Sequence, residues 1–109
     1  MLPMLPDGFR WIPRYQHAGD ELALVLDGVH VAALLSGVDG RWTARLEAHW
    51  PIEAPLVLRP CSNREAGREG VEAWAARHAD RLRREIRDPL VARDRWAPLV
   101  AAGAEEGDS

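Results

Sequence analysis

The chain contains no lysine: all 14 of its basic residues are arginine. An arginine-only set fits a GC-rich coding sequence, whose codons favour Arg, Ala and Gly. The functional alternative is arginine used for planar, bidentate contacts. Cysteine is nearly absent as well. Cys61 stands alone, so no internal disulfide can form, which fits a reducing compartment and excludes a disulfide-stapled secreted scaffold. Long hydrophobic runs are also missing. The longest apolar stretch, Leu22 to Leu35, is interrupted by Asp27, Gly28 and His30, and no segment approaches the roughly 20 residues of a membrane span. The opening MLPMLPDGFRW has neither a basic n-region nor an apolar h-region, so no signal peptide is expected and the expected location is cytoplasmic. Finally, there is no positive excess. The net charge is −3, and Glu105, Glu106 and Asp108 near the C-terminus account for it. A neutral body weighs against non-specific nucleic-acid binding, which rests on neutralising phosphates.

What is present suggests a single α+β domain. The 109 residues suit one domain with a real core. Residues 1–8 hold two prolines and a glycine in no periodic pattern and are expected as an irregular arm. Phe9, Trp11, Ile12 and Tyr15 follow, as a short strand or a packed arm; Pro13 argues against a central strand. Two apolar runs, Glu21–Leu26 and Val29–Leu35, flank Asp27-Gly28, a two-residue turn that needs φ > 0 at both positions and so marks a β-hairpin. That turn predicts Leu26 opposite Val29, Leu24 opposite Val31 and Leu22 opposite Ala33. Arg41–Glu47 alternates cleanly, with Trp42, Ala44 and Leu46 on the inner side. Leu56–Arg59 is a candidate fourth strand whose bounding prolines place it at an edge.

Residues 62–87 predict one long helix. Ser62 and Glu65 have capping-box spacing. Val71, Trp74, Ala75, His78, Leu82 and Ile86 recur at three and four, which makes one apolar stripe, and Asp88-Pro89 ends it. Pro89–Trp96 is a candidate short second helix with proline at its first position. Residues 103–109 are expected as a disordered acidic tail. The predicted architecture is therefore an antiparallel three- to four-stranded meander packed against one long C-terminal amphipathic helix. The face of the sheet that this helix does not cover is a candidate interaction surface.

Few groups suggest chemistry. Cys61 lies just before the helix start, where the dipole favours a thiolate, but no glycine-rich oxyanion loop surrounds it and His78 falls on the buried stripe. His17, His30, His49 and His78 show no metal-ligand spacing. Gly67 and Gly70 lack the context of a phosphate loop. No catalytic residue, metal or cofactor is expected. Arg77, Arg81 and Arg84 follow one another along the helix, either as a contact stripe or as a solvated face paired with Asp80 and Glu85. The five tryptophans include Trp50 in a proline-bracketed loop, and tryptophan is enriched in binding hot spots.

The segments L-D-G-V-H-V-A, D-G-R-W-T-A-R-L and E-A-G-R-E-G-V-E-A-W-A-A-R-H-A-D-R-L-R-R-E-I, between Leu26 and Ile86, resemble small accessory proteins encoded by bacteriophages and prophages of GC-rich bacteria. The strand–strand–strand–helix order is also similar to the arm-binding domains of phage integrases and to double-stranded-RNA-binding domains, although the matching strand offers only Arg41 and Arg45. The phage resemblance implies an accessory or anti-defence protein, such as an inhibitor of a host restriction or CRISPR complex, that occludes a partner protein's surface. On that reading the chain is not an enzyme, its partner is a host or phage protein complex, and Arg41, Arg45, Trp50, Arg77, Arg81 and Arg84 are the contacts. Nucleic acid bound by the same arginines is the alternative. Two copies could also pair through the sheet.

Overall fold

Five strands follow one another as a meander in the computed structural model, which describes residues 5–17 and 19–107, with side chains to residue 102. They are β1 (Phe9–Pro13), β2 (Leu22–Leu26), β3 (Val29–Ser36), β4 (Trp42–Leu46) and β5 (Val57–Cys61), all antiparallel in the order β1-β2-β3-β4-β5. The fold class is the expected α+β, with five strands in place of the three or four predicted. Both edge strands contain a proline, Pro13 in β1 and Pro60 in β5. Proline lacks the N–H a central strand would need, which is why it is tolerated at an edge.

The β2–β3 turn is built as its dipeptide requires, with φ of 50° at Asp27 and 83° at Gly28. Leu26 lies opposite Val29 as predicted, but the register then shifts. Val25 pairs with His30 and Leu24 with Ala32, so Val31 is an extra residue in a β-bulge. The predicted Leu24–Val31 and Leu22–Ala33 pairs are therefore replaced by Leu24–Ala32 and Leu22–Leu34. The bulge reverses the facing of the rest of β3. Ala32 and Leu34, which the unshifted register would place on the opposite face, join the core with Val31, and Ala33 turns outward to pair with Arg45.

The long helix is two helices, α1 (Arg64–Arg77) and α2 (Ala79–Arg87). The N-cap of α1 is Asn63 and not Ser62: its side chain accepts from the Ala66 backbone N–H at 2.8 Å, which leaves no Ser62–Glu65 capping box. The break falls at His78 (φ −115°, ψ 17°). His78 is half-exposed there, contrary to its expected place on the buried stripe, and Ala79 takes the inward position. Val71, Trp74, Ala75 and Leu82 pack with Leu24, Leu26, Leu34 and Leu46 in the main core. Trp11 ties edge strand β1 to α1 by donating from Nε1 to Glu72 at 2.7 Å.

The last helix, α3 (Pro89–Gly107), is much longer than the predicted Pro89–Trp96 and runs through Pro98. Its start is as expected, with Asp88 accepting from the Leu90 N–H. The backbone stays helical to Gly107 within the segment expected as a tail; Asp108 and Ser109, like residues 1–4 of the expected arm, lie outside the described residues. α3 packs on α2 and on the loop between β4 and β5. Trp50, Ala54, Ala92 and Trp96 form a second small core there. No helix among the described residues is long and apolar enough to cross a membrane.

Candidate functional site

The most ordered set of polar side chains lies where the β4–β5 loop meets α2. Strand β4 ends at Leu46, and the next residue, Glu47, has a φ of 59° in the left-handed region. That conformation costs a non-glycine residue about 1–2 kcal/mol and persists only where the surroundings hold it. What holds it is Arg81 of α2, which donates to both carboxylate oxygens of Glu47, at 2.6 and 2.9 Å. Arg81 also donates to Glu85 Oε2, one turn further along, at 3.2 Å.

Glu85 is the centre of the cluster. Its side chain is 0% exposed, and a carboxylate so placed must be compensated. Oε1 accepts from Trp50 Nε1 at 3.0 Å and lies 2.7 Å from His49 Nε2. Arg95 of α3 approaches Oε2 at 3.6 Å. Burial alone would raise the Glu85 carboxyl, but His49, Trp50 and Arg81 outweigh it and hold it below the usual carboxylate value. The ionised carboxylate can only accept, so His49 donates from Nε2. Burial likewise works against the charge on Arg81, and the two glutamates overcome it and raise its pKa.

Glu47, His49 and Glu85 offer ligand atoms within 4.8 Å of one another. Two carboxylates and an imidazole are a chemically suitable set for a divalent ion. Here, however, the guanidinium of Arg81 already bonds both carboxylates, and a metal ion would have to displace it. The arrangement is an ion network that pins the loop, α2 and α3 together.

An open groove of about 410 Å³ borders this network, between α2, α3 and the start of the β4–β5 loop. Val29, Pro51, Ile86, Leu90, Ala92 and Trp96 supply most of its wall, and His49 and Glu85 lie at its polar side. Its volume is within the roughly 300–1,000 Å³ span of ligand pockets. Leu90 is 68% exposed at the groove, and Ile52 in the loop is 100% exposed. Two buried nitrogens of groove residues, His49 Nδ1 and Trp96 Nε1, have no hydrogen-bond partner among the described residues.

The six residues predicted as contacts do not form one surface. Trp50 (6% exposed) and Arg81 meet on Glu85, so both are engaged inside the fold and are not open contacts. Arg41 sits at the β3–β4 turn, paired with Asp39. Arg45 is half-buried on the outer sheet face. Arg77 and Arg84 are exposed on the helices. Of the predicted pairs on the helix, Arg81–Glu85 forms, whereas Asp80 pairs with Arg83 and not with Arg77 or Arg84. Sequence reasoning missed Glu47, His49 and Glu85. The available signal was Glu85 itself, a carboxylate eleven residues after Trp74 and three after Leu82, and therefore on the apolar stripe. Comparison with protein-family models, with curated proteins and with solved structures finds no match.

Proposed function

We propose that this protein is a non-enzymatic binding module that takes an apolar side chain of a partner protein into the groove between α2 and α3. The observation that carries this reading is the groove itself: about 410 Å³, open, walled mainly by apolar side chains, and bordered by the exposed Leu90. Contiguous exposed apolar surface on a small domain marks interaction sites, and a buried anchor in a pocket is the usual centre of an interface. Binding is favoured over catalysis because the two titratable side chains at the polar side of the groove, His49 and Glu85, are closed off from solvent. Glu85 accepts from three donors with its side chain fully buried, and the His49 side chain is 3% exposed. A general base needs a lone pair within reach of substrate. The network instead fixes the groove wall before a partner arrives, which lowers the ordering cost of binding.

The resemblance to phage-encoded accessory proteins makes a host defence complex the first partner to test, with occlusion as the mode of action. The experiment is parallel affinity capture with the wild type, Leu90→Asp and Arg77→Glu. Leu90 and Arg77 are both exposed, so neither change should disturb folding. The reading requires a captured protein that Leu90→Asp loses and Arg77→Glu retains, confirmed with the purified pair. Equal capture by all three, or loss with Arg77→Glu alone, overturns the groove as the contact.

A further inference from the structure

The sheet face turned away from α1 carries a second candidate site, independent of the groove. Ile12, Ala23, Ala33 and Arg45 are register partners across β1 to β4, and so stand in one row on that face. The small side chain of Ala33 in this row leaves a hollow beside Arg45. It encloses about 340 Å³ and is lined by Arg14, Tyr15, His30 and Arg45, with Ala32, Ala33 and Ala48 between them. No carboxylate lines it.

One rim of this hollow is pre-organised. Glu21, 8% exposed, accepts from Arg14 at 3.2 Å and from the Tyr15 hydroxyl at 3.4 Å through Oε1, and from the Ser36 N–H at 2.9 Å through Oε2. The Arg14 guanidinium lies 5.7 Å from the centre of the Tyr15 ring, and that ring is 53% exposed. On the other rim, Arg45 makes no ion pair among the described residues. Two guanidiniums, a histidine and an aromatic ring around a small-residue hollow match one ligand chemistry, an anion joined to a flat ring. Guanidinium bonds phosphate oxygens in pairs, and aromatic side chains stack on bases regardless of sequence. The volume is near the lower end of ligand pockets.

We propose that the hollow on the outer sheet face binds a nucleotide, with its phosphate on Arg14 and Arg45 and its base against Tyr15. An acidic peptide would answer the charge but not the depth or the ring, so the nucleotide is the better match.

Calorimetric titration of the full chain with adenosine monophosphate, adenosine, a ten-residue oligothymidylate and a glutamate-rich peptide tests this. The nucleotide is expected to bind and adenosine without phosphate to bind far more weakly. Arg45→Gln should weaken nucleotide binding about tenfold, the effect of losing one charge-assisted contact. Ala33→Leu, which fills the hollow, should abolish it, and the exposed Arg84→Gln should leave it unchanged. Binding of the mononucleotide identifies a free nucleotide as the ligand. Binding of the oligonucleotide alone, with the same loss in Arg45→Gln, identifies a nucleotide unit within a strand. No binding of either at millimolar concentration, equal binding by Arg45→Gln, or binding of the peptide alone overturns the proposal. If Ala33→Leu fails to fold by circular dichroism, the exposed Tyr15→Leu replaces it, with a weakened affinity expected.

Discussion

Replacing Glu85 by alanine is the sharpest test of the ion network. The change removes an acceptor that His49 meets at 2.7 Å, Trp50 at 3.0 Å and Arg81 at 3.2 Å. Arg81 keeps both bonds to Glu47, so its loss is partial. The Trp50 N–H and His49 Nε2 lose their partner inside the fold, and hydrogen bonds to a charged group contribute about 1.5–3 kcal/mol each. Against this stands the desolvation of Glu85, which the alanine no longer suffers. The balance for breaking a buried charge arrangement is about 3–5 kcal/mol, a large share of the roughly 5–15 kcal/mol that holds such a domain together. The assay is urea unfolding followed by tryptophan fluorescence, to which Trp50 and Trp96 beside the network contribute. With a slope of about 1.5–2 kcal/mol/M, the midpoint should fall by roughly 2 M at unchanged slope. Glu85→Gln keeps the volume and one acceptor and should lose less, about 2 kcal/mol. A loss below about 1 kcal/mol for Glu85→Ala would refute the reasoning, because it would mean that His49 and Trp50 regain water at no cost.

Three further outcomes follow from neighbouring features. A Cβ at Gly67 would lie 2.9 Å from both Cys61 Sγ and Leu34 Cδ2, whereas one at Gly70 meets nothing within 4 Å. Gly67→Ala should therefore destabilise by about 1–3 kcal/mol through overpacking, and Gly70→Ala should stabilise by about 0.5–1 kcal/mol, as read by thermal melting. Asn63→Ala should cost about 1 kcal/mol as the loss of the α1 N-cap, while Ser62→Ala stays within about 0.5 kcal/mol; the reverse order would restore Ser62 as the cap. Stability should fall in two steps on acidification. Partial burial, then the charge of Arg81, lowers the His78 pKa from 6.5. The fold thus favours neutral His78, and this contribution is lost as pH drops below about 6.5 toward the folded value. Glu85 is held below 4.5, so its contribution is present above that pH and lost as pH falls through the folded value. Unfolding midpoints measured across pH in His78→Gln and Glu85→Gln should lose the upper and lower steps respectively; an unchanged profile in both variants would count against these assignments.

The parts of the fold legible in the sequence are those set by neighbours along the chain. Asp27-Gly28 fixes its turn because both positive φ values are local properties of two residues. The inward spacing of Val71, Trp74, Ala75 and Leu82 is a property of one helix. The bulge at Val31 is different. β2 and β3 offer apolar side chains on both parities, so alternation alone leaves the register open; the pairing with β4 joins in, placing Ala32 opposite Leu46 and Leu34 opposite Ala44. The break at His78 has the same character. A continuous stripe would aim the imidazole at the core; in the two-helix arrangement Ala79 is buried in its stead and His78 remains half-exposed. The ion network is furthest from local reading, since Arg81 and Glu47 are 34 residues apart, as Glu85 and Trp50 are 35 apart. Taken along the helix, Arg81–Glu85 is an ordinary surface pair worth a few tenths of a kcal/mol. It becomes a buried pair only because a loop beginning at a left-handed Glu47 brings His49 and Trp50 over it. The energetic weight of a charged residue therefore depends on what the tertiary fold places above it, and the same two residues would contribute almost nothing in an isolated helix.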